Sequence, residues 1–296
     1  MSLYRNLFCF FSLLILCSCE LRQSVDGNLT ATSAATASRV VTLAPHLAEL
    51  VFAVGAGDML VGVSAYTDYP AQALSLPIVG DAFMVDQERL VLLQPDLLLG
   101  WASGTPAHVV DQLRAVGYRV ETVRTRSLDD VAQALEKIGA LTGHAASASD
   151  AAETFRRALS NLADKHATAP SIRVFYQISQ QPIYTINGNH YVSELIEICG
   201  GSNIFADLGE LAPLVSEEAV LERDPEILLA GADVLQDPFA NWQRWPELAA
   251  NRYQNHLLLP AAEIARATPR LIKAGEVLCR ALERARLNRQ LAPERS

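Results

Sequence analysis

Between Ser147 and His166 the apolar residues fall at Ala151, Phe155, Ala158/Leu159 and Leu162. That i, i+4, i+7/8, i+11 spacing marks one face of an α-helix. Ser147 and Asp150 read as an S-x-x-D capping box at its start, and the helix runs to the break before Pro170. At ~1.5 Å per residue it is a rod of roughly 28 Å. On its N-terminal side, short apolar runs at 40–43, 60–63, 97–101 and 119–123 alternate with helical patterns at 46–54, 86–93, 106–116 and 128–141. On its C-terminal side the pattern returns. Strands are expected at 172–178, 183–186, 227–229 and 257–259, and helices at 191–199, 217–221 and 269 to about 286. Near-continuous apolar strands separated by helices belong to parallel sheets covered on both faces. The predicted fold class is α/β, with two Rossmann-like lobes joined by one long α-helix and a ligand cleft between them.

The two halves also echo each other. DQERLVLLQPDLLLG (86–100) aligns without a gap to SEEAVLERDPEILLA (216–230), matching Glu88 with Glu218, Pro95 with Pro225 and Asp96 with Glu226. HLAELVFAVG (46–55) resembles HYVSELIEICG (190–200). The two offsets differ, so this is no strict period, but it favours lobes of similar topology.

Of 296 residues, 50% are hydrophobic and 19% charged, enough for two cores. A formal charge of −9 argues against nucleic acid as a partner. The N-terminus changes the picture more. Arg5 followed by the apolar run LFCFFSLLIL (7–16) has the make-up of a signal peptide, too short to span a bilayer comfortably. Leu16-Cys17-Ser18-Cys19 resembles the bacterial lipobox, which implies that Cys19 becomes the lipidated first residue of the mature chain. The expected organisation is therefore a signal peptide (1–18), a Ser/Thr/Ala-rich tether (19–38), a first lobe (39–144), the interlobe helix (145–168), a second lobe (169–288) and a polar tail (289–296). Cys199 and Cys279 remain, an even pair in an exported chain, and a disulfide is the default expectation.

No catalytic motif emerges: there is no G-x-S-x-G, phosphate loop, H-E-x-x-H or C-x-x-C, and no pair of the six histidines has helical ligand spacing. The chain is expected to be neither an enzyme nor a metal protein, and no catalytic residue is assigned. Binding has better support. In open parallel sheets the ligand crevice lies beyond the carboxyl ends of the strands. The residues there are Pro45 and His46, Tyr66, Trp101, Tyr184 and His190, with Phe83 in the loop before the helix that carries Glu88. Aromatics at that edge suit a large, flat, partly polar ligand. Glu88 and Glu218 hold equivalent places near the starts of short helices. A carboxylate there is ordinary dipole compensation, but a pseudo-symmetric pair also suits a two-fold partner with basic pockets.

Seven segments carry a family resemblance: VVTLAPHLAEL, VGVSAYTDYP, ERLVLLQPDLLLGW, VFYQ, ELIEICGGSNIF, VSEEAVLERDPEIL and ATPRLIKAGEVLCRAL. Through them the chain, from about Arg39 to Ala285, resembles the substrate-binding proteins of bacterial ABC importers that have a single rigid interlobe helix, within their cobalamin, siderophore and heme group. The resemblance implies a cobalamin-like corrinoid as transported ligand, no cofactor, and little lobe motion on capture. It implies delivery to a dimeric ABC permease with its ATPase subunits, engaged by Glu88 and Glu218. It places ligand contacts at Tyr66, Phe83, Trp101, Tyr184 and Arg266, and is consistent with a Cys199–Cys279 bridge. The chain departs from the family pattern near Ala212 and at Ala262-Glu263. Heme or a ferric siderophore is the alternative cargo, with His46 or His190 as an iron ligand, and a cobamide-processing enzyme is the more distant one. The expected location is the periplasm, held to a membrane by lipid on Cys19.

Overall fold

A computed structural model of the protein describes residues 36–81, 83–231 and 237–291. The expected signal peptide, Cys19 with its lipid, most of the tether and the end of the tail lie outside the described residues. The first lobe contains β1 (Val40–Thr42), α1 (Pro45–Ala53), β2 (Leu60–Gly62), α2 (Gln87–Leu93), β3 (Leu97–Trp101), α3 (Ala107–Ala115), β4 (Val120–Val123) and α4 (Leu128–Thr142). Helix α5 (Ala145–His166) leads into the second lobe. There follow β5 (Ile172–Gln177), β6 (Ser179–Gln180), β7 (Ile183–Tyr184), α6 (Tyr191–Ile198), β8 (Gly201–Asn203) and α7 (Glu217–Arg223). The lobe closes with β9 (Ile227–Gly231), α8 (Ala249–Arg252), β10 (His256–Leu259), α9 (Ala261–Ile264) and α10 (Leu271–Leu291).

Both main sheets are parallel and four-stranded, ordered β2-β1-β3-β4 and β8-β5-β9-β10. Numbered within its own lobe, each sheet reads 2-1-3-4. The side-chain period of two divides each strand between two cores. Val40, Leu97 and Leu99 face a core shared with α1, α4 and α5, while Val41 and Leu98 face the opposite layer. In the second lobe Val174, Ile227 and Leu229 join that same shared core, and Phe175 and Leu228 face the outer one.

The repeated segments fold alike. Asp86 and Ser216 cap α2 and α7 by accepting the N–H of Arg89 and Ala219. Each helix ends in a left-handed residue, Gln94 and Asp224. The carboxylate of Asp96 then accepts the N–H of Arg39, as Glu226 accepts that of Arg173, and the two arginines bond back to the carbonyls of Gln94 and Asp224. The same side-chain device thus fastens the first strand of each lobe to its third.

Helix α5 begins at Ala145, before the expected cap. Ser147 does not cap it: its hydroxyl donates to the carbonyl of Val54, because α4 ends at the left-handed Gly143 and the chain re-enters a helix at once. The capping box lies instead on α4, between Ser127 and Asp130. Ala148, Ala152, Phe155 and Leu162 of α5 are buried in the core common to both lobes, against α4 on one side and α6 and α10 on the other. Two expected edges shift as well. Ala37 is buried and Ser38 donates to Asp96, so the end of the expected tether is part of the first lobe. At the other end, α10 continues to Leu291, past the start of the expected tail.

Cys199, at the end of α6, is bonded to Cys279 on α10 across 80 residues. Closing a loop of that length contributes about 4 kcal/mol in the chain-entropy model. Replacing both cysteines by alanine is expected to lower the unfolding free energy in urea by about 2–5 kcal/mol. A loss under about 0.5 kcal/mol would show that the bridge does little for the fold.

Candidate functional site

In a 2-1-3-4 sheet the strand order reverses between the first and third strands, whose connections leave on opposite sides, and a crevice opens beyond their carboxyl ends. Here the crevices of the two lobes, at β1/β3 and β5/β9, contribute to one cavity of about 440 Å³. The first lobe supplies Ala44, Pro45 and His46 after β1, Trp101 at the end of β3 and Thr125 after β4. The second supplies Tyr176 and Ile178 at the end of β5, Ile186 and residues 190–192 leading into α6, and residues 264–267 after α9. The wall is mostly apolar, as sites for large organic ligands are.

Polar atoms interrupt it at chosen places. His46 and Trp101 meet edge to face, ring centroids 5.1 Å apart. His46 Nε2, Trp101 Nε1 and Thr125 Oγ1 have no hydrogen-bond partner. An unpaired buried polar atom costs about 1–3 kcal/mol, and these three lie beneath the cavity wall, out of reach of solvent. Burial, and then the positive charge of Arg266, push the pKa of His46 down to about 3. Burial and Arg126 push His190 down to about 4, and its Nδ1 accepts the N–H of Val192 as the cap of α6. Both imidazoles are neutral at any physiological pH.

The lobes meet at a buried carboxylate. Glu49 on α1, whose side chain is 2% exposed, accepts from Arg266 at 2.9 Å and from Arg270 at 2.7 and 2.9 Å, both from the second lobe. Arg266 also donates to Asp68 and to the carbonyl of Tyr66. The guanidinium of Arg270 lies 4.1 Å over the ring of Tyr69. Burial opposes the charge on Arg266, but its bonds to Asp68 and Glu49 outweigh it and the pKa is raised. The same contact holds the Asp68 carboxyl below its ordinary range.

Of the residues expected at the ligand, Trp101 and Arg266 line the cavity. Tyr66, Phe83 and Tyr184 do not; their side chains stand outside it, 83%, 69% and 38% exposed. Tyr66 and Tyr184 are tied to cavity residues through backbone, and Phe83 is not. Tyr66 has a left-handed φ of 65°, which a non-glycine residue adopts at a cost, and its carbonyl meets Arg266. Phe83 sits in a tight loop between Gly80 and Val85. A Cβ on Gly80 would fall 2.0 Å from the carbonyl oxygen of Met84, so only glycine closes that loop. The carbonyl of Tyr184 accepts the N–H of Ile178, a cavity residue. Glu88 and Glu218 are exposed at the second positions of α2 and α7, and neither forms an ion pair among the described residues. Sequence reasoning missed Glu49, Thr125, Tyr176 and Ile178. Thr125 and Ile178 directly follow strands, and Glu49 is the one acid in PHLAELVFA, so both signals were present.

Two like-built α/β lobes about one helix, with a cleft at their facing strand ends, define the class of substrate-binding proteins. The chain belongs to the periplasmic binding protein family, whose model matches residues 40–251. It is 36% identical over 244 residues to the vitamin B12-binding protein of Vibrio cholerae, covering 82% of this chain and 88% of that one. The corresponding figures for that of Yersinia pestis are 35% over 252 residues, 85% and 89%. The crystal structure of the periplasmic vitamin B12-binding protein of Vibrio cholerae superposes with a TM-score of 0.77 at 36% identity, covering 84% of this chain and 98% of the other. A periplasmic heme-binding protein of Roseiflexus shares the fold at a TM-score of 0.74 and 23% identity, covering 84% of this chain and 99% of that one. The family and these relatives are binding proteins, not enzymes.

The neutral histidines carry a pH dependence. His46 protonates near its ordinary 6.5 once unfolded and near 3 in the fold, so its contribution is intact above pH 6.5 and lost as pH falls toward 3. Stability is expected to decline by ~1.4 kcal/mol per pH unit for each such histidine across its window. His46→Gln should flatten the decline between pH 6 and pH 4 measured by urea unfolding at each pH; identical slopes would contradict the burial of a neutral ring.

Proposed function

We propose that this chain is the substrate-binding lipoprotein of an ABC importer: it captures cobalamin or a related corrinoid in the interlobe cleft and delivers it to the permease. The observation that carries the reading is the cavity of about 440 Å³ between the lobes, with a mostly apolar wall that contains Trp101. A corrinoid has a broad apolar macrocycle, which finds its counterpart in that wall. The 36% identity to vitamin B12-binding proteins supports the same cargo. Trp101 gives the apolar contact. Tyr66, Phe83 and Tyr184 would close on the part of the ligand that projects from the mouth, and Arg266 would border its polar edge.

Delivery falls to Glu88 and Glu218, exposed at matching places on the two lobes, which suit arginine pockets on a two-fold permease with its ATPase subunits. Lipid on Cys19 would hold the protein to the membrane while it works in the periplasm. A second reading, heme capture, would draw on His46, whose Nε2 has no partner but is buried, so the ring would have to turn to ligate iron.

Calorimetric titration with cyanocobalamin is expected to give saturable one-to-one binding, weakened about 30-fold by Trp101→Ala, a loss of ~2 kcal/mol. No heat with cyanocobalamin, together with a Soret shift on adding heme, would overturn the corrinoid reading in favour of its rival. For delivery, Glu88→Lys with Glu218→Lys should abolish uptake into permease-bearing vesicles while cyanocobalamin binding persists; undiminished uptake would remove both glutamates from the docking role.

A further inference from the structure

Arg266 is the only cationic side chain among the described residues that line the cavity. Three of its five N–H groups are committed within the protein, and its charge is balanced there. One terminal nitrogen donates to Glu49 and Asp68, and the other to the carbonyl of Tyr66. Arg270 shares Glu49 through two further bonds and also faces Glu263, itself paired with Lys273, so three cations face three carboxylates and the cluster is neutral. The remaining polar groups of the wall that lack partners are neutral as well: His46 Nε2, Trp101 Nε1 and Thr125 Oγ1. Arg126, whose charge reaches His190, is exposed and lies outside the cavity wall, where water and salt screen it.

Such a wall treats two kinds of ligand periphery differently. A carboxamide both donates and accepts and carries no charge, so a neutral wall can hold it without a counter-ion. A carboxylate only accepts, and burying it without a cation is strongly unfavourable. Arg266 could offer such a ligand only its two remaining N–H groups, and its charge is already balanced by Asp68 and Glu49.

We infer that Glu49 and Asp68 set the charge selectivity of the cleft: by occupying Arg266 they make it accept tetrapyrroles whose periphery is carboxamide and discriminate against those bearing carboxylates. The inference rests on the corrinoid reading above and goes beyond it by naming the feature of the ligand that is selected. Glu49 and Asp68 act through Arg266 and are positioning residues. The two acids differ in one useful respect. Glu49 is buried, whereas the side chain of Asp68 is 59% exposed, so Asp68→Asn leaves the core untouched.

The test measures Kd by calorimetry for cyanocobalamin and for its monocarboxylic acids, in which one propionamide is hydrolysed, with the wild-type chain, Asp68→Asn and Glu49→Gln. The wild type should bind at least one monoacid about tenfold or more weakly than the parent, and Asp68→Asn should narrow that ratio about threefold or more. Glu49→Gln, if it folds, should narrow it likewise. Equal affinity of the wild type for parent and all monoacids overturns the inference alone, and so does a ratio that Asp68→Asn leaves unchanged, since a merely structural role would weaken both ligands together. Failure of cyanocobalamin itself to bind overturns the corrinoid reading and the inference with it.

Discussion

The two lobes of this protein share a core, in addition to an outer one that each has to itself. Helix α5 buries Ala148, Ala152, Phe155 and Leu162 in a layer that also contains Leu47 and Leu135 of the first lobe and Leu195 and Leu278 of the second. Truncating a residue such as Phe155 in a layer of this kind removes about 3–5 kcal/mol. A hinge needs backbone that can change its dihedrals without losing packing, and a helix buried along one face has little of it. Two polar contacts reinforce the constraint. Glu49 of α1 holds Arg266 and Arg270 of the second lobe, and Glu194 of α6 accepts the N–H of Leu128 at the start of α4. The cleft is therefore set largely by the fold itself.

Its position follows from the repetition. The 2-1-3-4 order puts a crevice at the strand ends of each lobe, and a helix that packs on equivalent layers of both brings the crevices to face each other. The fastening of the first strand to the third by Asp96 and Arg39, echoed by Glu226 and Arg173, keeps β3 and β9 in register, and β3 in turn delivers Trp101 to the cavity. One architectural rule, applied twice, yields a single apolar hollow with a neutral polar fringe.

Much of this was legible in the sequence, and the exceptions have reasons. Strand β3 has the predicted bounds because LLLGW is a continuous apolar run; α2 lies within one residue of its expected span, and α7 runs two residues past the expected Leu221. Strand β8, Gly-Ser-Asn, was not foreseen: it has no apolar signal of its own and is a strand only because β5 pairs with it. The cap assigned to Ser147 failed because tertiary contact with Val54 claimed its hydroxyl. In the site, strand-end reasoning located Trp101 and Arg266 lay within a recognisable motif, but the exposure of Tyr66, Phe83 and Tyr184 depends on loop conformations such as the left-handed Tyr66 and the tight turn at Gly80. What no periodicity encodes is the pairing of Glu49 with arginines more than two hundred residues away, and that pairing decides which charges the cleft presents.

The central claim is a cleft preformed by a shared core rather than assembled by closure of two lobes. Its most direct test is a spin-label distance between the lobes, with Gln112→Cys on α3 and Glu222→Cys on α7, recorded with and without cyanocobalamin. A preformed cleft predicts one narrow distribution whose mean moves by less than about 2 Å on adding ligand. A broad distribution that collapses, or a mean that shifts by roughly 5 Å or more, would contradict it.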